Sequence, residues 1–277
     1  MWQHGVEYDI LICLAEQIIG ADIPSNETKL LVANKSLESF ARGKKSNPIY
    51  SIGLPIAYLP VMSERRMANS LMVFPGHGVP GSSMSEEINK NYAQYILGIA
   101  DKFEKVEVCI FGPDFDRKAP IRGIFEEHGF KIVRGVDDSK FALHEQKKRL
   151  LGFSHVTSNV MGSHIPYAAS YGCRVSIAGP IHEYQREHLE NTEFYKLFPA
   201  ALDIVTKYSE PSLRSYFSWL FCEPHEAQTC EIWGNEQIGF DCRLSPKEIC
   251  NVFNWTMRNV LMSDIKIKEK IKHILFK

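Results

Sequence analysis

Several large classes are excluded by what this 277-residue chain lacks. No apolar run approaches the roughly 20 residues that span a bilayer. The opening, Met1-Trp2-Gln3-His4-Gly5, is polar and aromatic, where a secretory signal would show a basic start and an apolar stretch. Charge of one sign is not in surplus: the formal net charge is -1. Nucleic acid requires a basic surface, so it is not expected as a partner. Cysteine is sparse and scattered, seven in all, which suits reduced thiols in a cytosolic protein. The one cluster, Cys222, His225, Cys230 and Cys242, has the tight two-residue spacing of zinc ligands once and never twice, so no metal is expected there. No repeat or low-complexity segment is visible. No G-x-S-x-G elbow surrounds a serine, which argues against a serine nucleophile.

What is present is an ordinary soluble core, with 44% hydrophobic residues and mixed charge. From about Asn69 the pattern alternates between short apolar runs and helical spacing. The runs are 70–74, 106–111, 130–135, 155–158 and 174–178. Between them, Ile88, Tyr92, Tyr95, Ile96 and Ile99 recur at helical spacing, and Ser83 with Glu86 has the spacing of a capping box. Pro120, Ile121, Ile124 and Phe125 suit a short helix, and Leu143, Leu150 and Leu151 mark another. Strands alternating with helices imply a parallel α/β sheet with right-handed crossovers. Upstream, 9–19 and 35–42 read as helices, 29–33 as a strand, and 49–55 as a strand entering a turn. The polar stretch 59–70 breaks the pattern and suggests a junction. Residues 181–277 read as mainly helical. The expected domains are 1–65, a partial N-terminal α/β domain, 66–245, a donor-binding α/β domain, and 246–277, closing helices.

In an open parallel sheet, ligands sit beyond the carboxyl ends of the strands. Thr157-Ser158-Asn159 falls at such an end, with Gly162-Ser163 opening the next helix. Free amide N–H groups and the dipole at a helix start favour an anion, so this stretch suits a phosphate or diphosphate. A plain helix cap by Ser158 or Ser163 is the alternative. A second loop, 74–83, carries Gly76, Gly78 and Gly81, which permit close backbone approach, and His77, which suits a phosphate or a leaving group. A flexible surface loop is the alternative there. In the third strand-end loop, 111–115, a turn is the favoured reading, and a bond from Asp114 to a sugar is the alternative.

The stretch 150–180, LLGFSHVTSNVMGSHIPYAASYGCRVSIAGP, resembles the donor-side motif of bacterial GT-B glycosyltransferases of capsule and surface-polysaccharide synthesis. Its layout is also similar to the CDP-glycerol glycerophosphotransferases of teichoic acid synthesis. MWQHG at 1–5 resembles the histidine-glycine motif of the family's N-terminal domain. The segments ANKSLESF, SIGLPIAYLP and RRMANSLMVFPGHG resemble its linking segments, so the likeness covers about residues 1–182. It implies a GT-B fold with the site between two domains. On matching positions, His4 takes the part of catalytic base. Ser158, Asn159, Gly162, Ser163 and Gly76 hold the donor phosphates with His77 beside them, and Thr157 and Asp114 reach the sugar or nucleotide. The resemblance implies no metal and no cofactor. The nucleotide-activated sugar is a substrate, and the acceptor is a polysaccharide or a lipid-linked chain.

The expected activity is therefore sugar transfer in capsule or lipopolysaccharide synthesis. Transfer of an alditol phosphate from a CDP-linked donor is one alternative. A non-catalytic nucleotide-binding subunit of polysaccharide assembly is another, favoured by an N-terminal domain that reads as truncated. The expected location is cytoplasmic, with peripheral contact at the inner membrane left open. That contact would come from the tail 263–277, where Ile267, Ile271, Ile274 and Leu275 make an apolar stripe among lysines. A closing helix packed on the protein is the favoured alternative for the tail.

Overall fold

The computed structural model of the chain describes residues 26–78, 85–136, 141–197, 199–207 and 209–255. His4, the helix expected at 9–19, Ser83 and the tail 263–277 lie outside the described residues. The described residues through Cys242 belong to one compact unit, and a second begins at Arg243.

The first unit is α/β. Its main sheet has five strands, all parallel: β3 (Met67–Phe74), β4 (Lys105–Ile110), β5 (Lys131–Arg134), β6 (Phe153–Ser158) and β7 (Arg174–Ile177), in the spatial order β5-β4-β3-β6-β7. A smaller parallel pair, β1 (Leu30–Val32) with β2 (Ile49–Ser51), encloses helix α1 (Lys35–Arg42). The Asn34 side chain accepts from the Leu37 amide at 3.0 Å and starts that helix. Glu38 ties α1 to β2 by accepting from the Ser51 hydroxyl at 2.5 Å.

The strands read as near-continuous apolar runs because both faces of the sheet are covered. Leu71 and Val73 of β3, with Val108 and Ile110 of β4, face α2 (Glu86–Ile99) and, after the short α3 (Gly112–Asp116), α4 (Pro120–Glu127). There Tyr92, Ile96, Ile121 and Phe125 close one core. Met72, Phe74, Cys109 and Val156 face the other way. That second core takes in α6 (His164–Ser170), which follows α5 (Ala142–Gly152), and also Leu30, Val32, Leu37, Ile49 and Leu54 of the upstream piece. The described segment 26–57 thus shares a core with the main sheet.

Several expectations shift at their edges. β3 begins at Met67, so the expected junction 59–70 loses its last residues to the central strand. The pairing of β3 with β6 slips between Met67 and Leu71, and a slipped register hides the start of a strand from a periodicity reading. Helix α2 starts after Ser85, whose side chain makes no cap bond, and has Glu86 as its first residue, so Glu86 does not take the third helical position that the Ser83 capping box required. Residues 112–116 coil into α3, with a proline at the helix start, where a loop or turn was expected.

Beyond β7 the described residues are mainly helical, as expected: α7 (Arg186–Leu189), α8 (Glu193–Leu197), α9 (Pro199–Lys207), α10 (Glu210–Phe217) and α11 (Glu231–Ile238). Leu189, Tyr195 and Leu202 form a small core of their own. In the second unit α12 (Pro246–Phe253) carries a complete capping box between Ser245 and Glu248. No helix among the described residues is long and apolar enough to cross a membrane.

Candidate functional site

β3 comes first in sequence and lies at the centre of the sheet. The chain then runs outward through β4 and β5, crosses back to β6 on the other flank of β3, and continues to β7. The order reverses between β3 and β6. In an open parallel sheet, loops diverge at such a point and leave a crevice beyond the strand ends. The loops after β3 and β6 are the two polar loops that the sequence singled out.

Side-chain bonds lock these loops together. Asn159 accepts from the Gly76 amide at 2.9 Å and donates to the Pro180 carbonyl at 3.2 Å. Its own carbonyl accepts from the His182 amide at 3.0 Å. Ser158 donates to the Phe74 carbonyl at 2.6 Å and accepts from the Val160 amide at 3.2 Å. Thr157 accepts from the Ser176 hydroxyl at 2.9 Å. All three residues are fully buried. Their polar atoms hold the strand-end loops of β3, β6 and β7 in place and are spent on that task. The structure thus places Gly76, Thr157, Ser158 and Asn159 under the crevice as its scaffold, where the sequence reading had them touch the donor.

Above them a cavity of about 520 Å³ opens along the carboxyl ends of β3, β4, β5 and β6. Of the expected residues, His77, Gly162 and Ser163 line it. Asp114 does not: it is buried in α3 and paired with Arg117. His77 is exposed and stacks on Phe111 with ring centroids 4.4 Å apart. Its carbonyl accepts from the Tyr184 hydroxyl at 2.7 Å. Ser163 precedes α6 and makes no side-chain cap bond, so its hydroxyl does not serve the plain capping role. That hydroxyl is instead bonded to Tyr167.

The cavity also holds a residue that the sequence reading passed over. His164 opens α6, lines the cavity, and stacks on Phe74 with centroids 5.0 Å apart. Its Nε2 is shut off from water and has no partner, a costly state for a buried polar atom. Burial, with His77 adding to it, pushes the pKa down to about 3, so the ring is neutral at physiological pH. Gly162 makes room for this ring: a Cβ there would sit 2.9 Å from His164 Cε1. The signal was present in the triplet Gly-Ser-His, but nothing in the spacing separates such a histidine from a surface one.

A second hollow of about 770 Å³ lies past the end of β7, lined by Ile88, His182, Glu183, Tyr184, Glu210 and Arg214 among others. His182 is buried, with an unpartnered Nδ1. Tyr184 lines both hollows and forms the wall between them. Among the described residues, no group of three histidine, cysteine or acidic side chains could hold a metal ion. The six described cysteines are free thiols. Burial pushes the Cys230 thiol up to about 12.

Sheet order, crevice and covering helices define a parallel α/β protein compatible with a Rossmann-like fold. No family model matches the chain, and no curated protein matches it.

Proposed function

We propose that this protein is a GT-B-type transferase that takes a sugar from a nucleotide-activated donor and passes it to a bacterial surface-polysaccharide acceptor. One observation carries the reading. The stretch that resembles the family's donor motif lies at the reversal point of the sheet, and the crevice above it presents Gly162, Ser163, His164 and His77 to one cavity.

In this reading the donor diphosphate lies against Gly162 and Ser163, and His77 flanks it. His164 is neutral, so its ring walls the donor pocket without adding charge. As the sugar leaves, negative charge grows on the nucleotide phosphate, and donors fixed in advance stabilise it without reorganising. His4 takes the acceptor proton, a role suited to an imidazole with an ordinary pKa of about 6.5. Buried Asn159 and Ser158 keep the two loops at fixed separation.

The test is a thermal-shift series with CMP-, CDP-, UDP- and GDP-linked compounds, followed by product analysis. A ligand that binds only the folded state raises the midpoint by an amount set by its concentration over Kd. A rise with one nucleotide class, and a glycosidic product, is the expected result. A phosphodiester product would mean alditol-phosphate transfer, and a rise without turnover would mean a binding subunit. No rise with any of them would overturn the reading.

A further inference from the structure

The opposite, amino-terminal edge of the sheet holds a third hollow, of about 380 Å³, which the proposed transfer does not use. It is lined by Arg66, Asn69, Ser154, His155 and Arg174, with Gly172 and Thr229 beside them.

The hollow arises from a defect in the central strand. β3 slips register against β6 between Met67 and Leu71, and Asn69 within the slip has a positive φ of 46°. Asparagine tolerates that conformation better than most residues, and such irregularities gather at functional places. Two serines fill the broken ladder. The Ser70 amide donates to Ser154 Oγ at 2.8 Å, and the Ser154 amide donates to Ser70 Oγ at 3.1 Å.

The bulge opens onto a buried histidine in mid-strand. His155 Nδ1 lies 2.9 Å from Ser154 Oγ, and its Nε2 lies 3.4 Å from Arg174 Nη1. A guanidinium only donates. Nε2 therefore accepts, and the ring proton sits on Nδ1 toward the serine. Burial first, and the Arg174 charge second, push the His155 pKa down, which agrees with that neutral ring. The ring fixes one edge of Arg174. The side chain is otherwise exposed and has no carboxylate partner among the described residues.

Arg66 is held differently. It donates to the carbonyls of Tyr171 and Gly172, the latter at 2.6 Å, and caps the end of α6. Glu231 approaches the same corner: a Cβ at Gly172 would lie 3.7 Å from its Oε2 and 3.4 Å from Arg66 Nη1.

We propose that this hollow binds a small oxyanion, a phosphate or the phosphate end of a small phosphomonoester, gripped by Arg174 with Arg66 behind it. An oriented guanidinium with its remaining N–H groups directed away from the imidazole matches two oxygens of such an anion. The volume, about 380 Å³, is near the lower end for ligand sites and suits a small anion. The site is separate from the crevice at the carboxyl edge, so neither reading depends on the other.

The test uses the full chain with inorganic phosphate and with glycerol 1-phosphate, against chloride at matched ionic strength. Melting midpoints and the His155 ring signals in NMR are followed for the native protein, Arg174→Ala and Arg174→Lys. The expected result is a midpoint rise with either probe, movement of the His155 signals, loss of both in Arg174→Ala and a weakened response in Arg174→Lys. A response to one probe alone supports the site and identifies the source of the anion. A rise that survives in Arg174→Ala, an equal rise with chloride, or ring signals that stay still in the native protein would each overturn the proposal. The ring signals decide even if the alanine variant does not fold.

Discussion

Asn159 shows how a polar residue at a strand end divides between holding and binding. An amide at that position matches a phosphate loop on paper. Folded, it bridges Gly76 and Pro180 and is fully buried. Its loss orphans the buried Gly76 amide, at a cost of about 1–3 kcal/mol, and the part-buried Pro180 carbonyl as well. Asn159→Ala is therefore expected to lower the melting midpoint, read by calorimetry. Ser163 lines the cavity and is only partly buried. Ser163→Ala frees only the Tyr167 hydroxyl, so it is expected to lower the midpoint less than Asn159→Ala does and to weaken nucleotide binding about tenfold or more, as the loss of a bond to a charged group of about 1.5–3 kcal/mol requires. Binding by titration calorimetry checks this. If Asn159→Ala melts normally but fails to bind, the roles assigned to the two residues are reversed.

At the scale of elements, the crevice depends on where α6 lies, and α6 is set by α11. The two helices meet at Gly234, where a Cβ would overlap the backbone of Ala169 and Ser170. A glycine inside a helix costs about 1 kcal/mol against alanine. That cost is accepted here because only a hydrogen lets the axes approach so closely. The carboxyl end of α11 is in turn satisfied by the upstream piece: Leu54 donates to the Ile238 carbonyl at 2.8 Å and Asn34 to the Glu236 carbonyl at 3.0 Å. Gly234→Ala, a helix-favouring change on propensity alone, is expected to destabilise by about 1–3 kcal/mol through overpacking. A chemical denaturation midpoint measures it, and an unchanged or raised midpoint would show that the helices can part without cost. Of the elements, α1 was legible because its spacing and its Asn34 cap are local, and the helical character after β7 was legible without its individual helices. The early start of β3 was not, because its bulge breaks the pairing and is defined only by β6.

For the whole molecule, buried histidines set the response to acid. His164 has its folded pKa near 3, below the unfolded value of about 6.5, and burial lowers His155 and His182 as well. The unfolded chain takes up these protons first, so stability is full above about pH 6.5 and falls as the pH drops below it. By pH 5 His164 alone costs about 2 kcal/mol, at about 1.4 kcal/mol per pH unit. Glu38 acts lower on the scale. Burial raises its pKa, but bonds from Lys35, Ser51 and Arg42 outweigh this and hold it at about 2, so its contribution is lost only below about pH 4.5. Unfolding midpoints at pH 7 and pH 5 should differ clearly in the native protein and less in His164→Gln. An equal drop in both would remove His164 as a cause. The sequence by itself determined the alternation of strands and helices, the apolar character of strands covered on both faces, and the places of the polar loops. These follow from local periodicity and backbone preference, which a linear chain carries. Only the tertiary structure decided the strand order and the reversal point between β3 and β6. It also turned Ser158 and Asn159 inward, left the His164 nitrogen without a partner, and placed Arg174 against His155. Each of these depends on residues far apart in the chain, so burial and pairing are fixed only when the sheet closes and its helices pack.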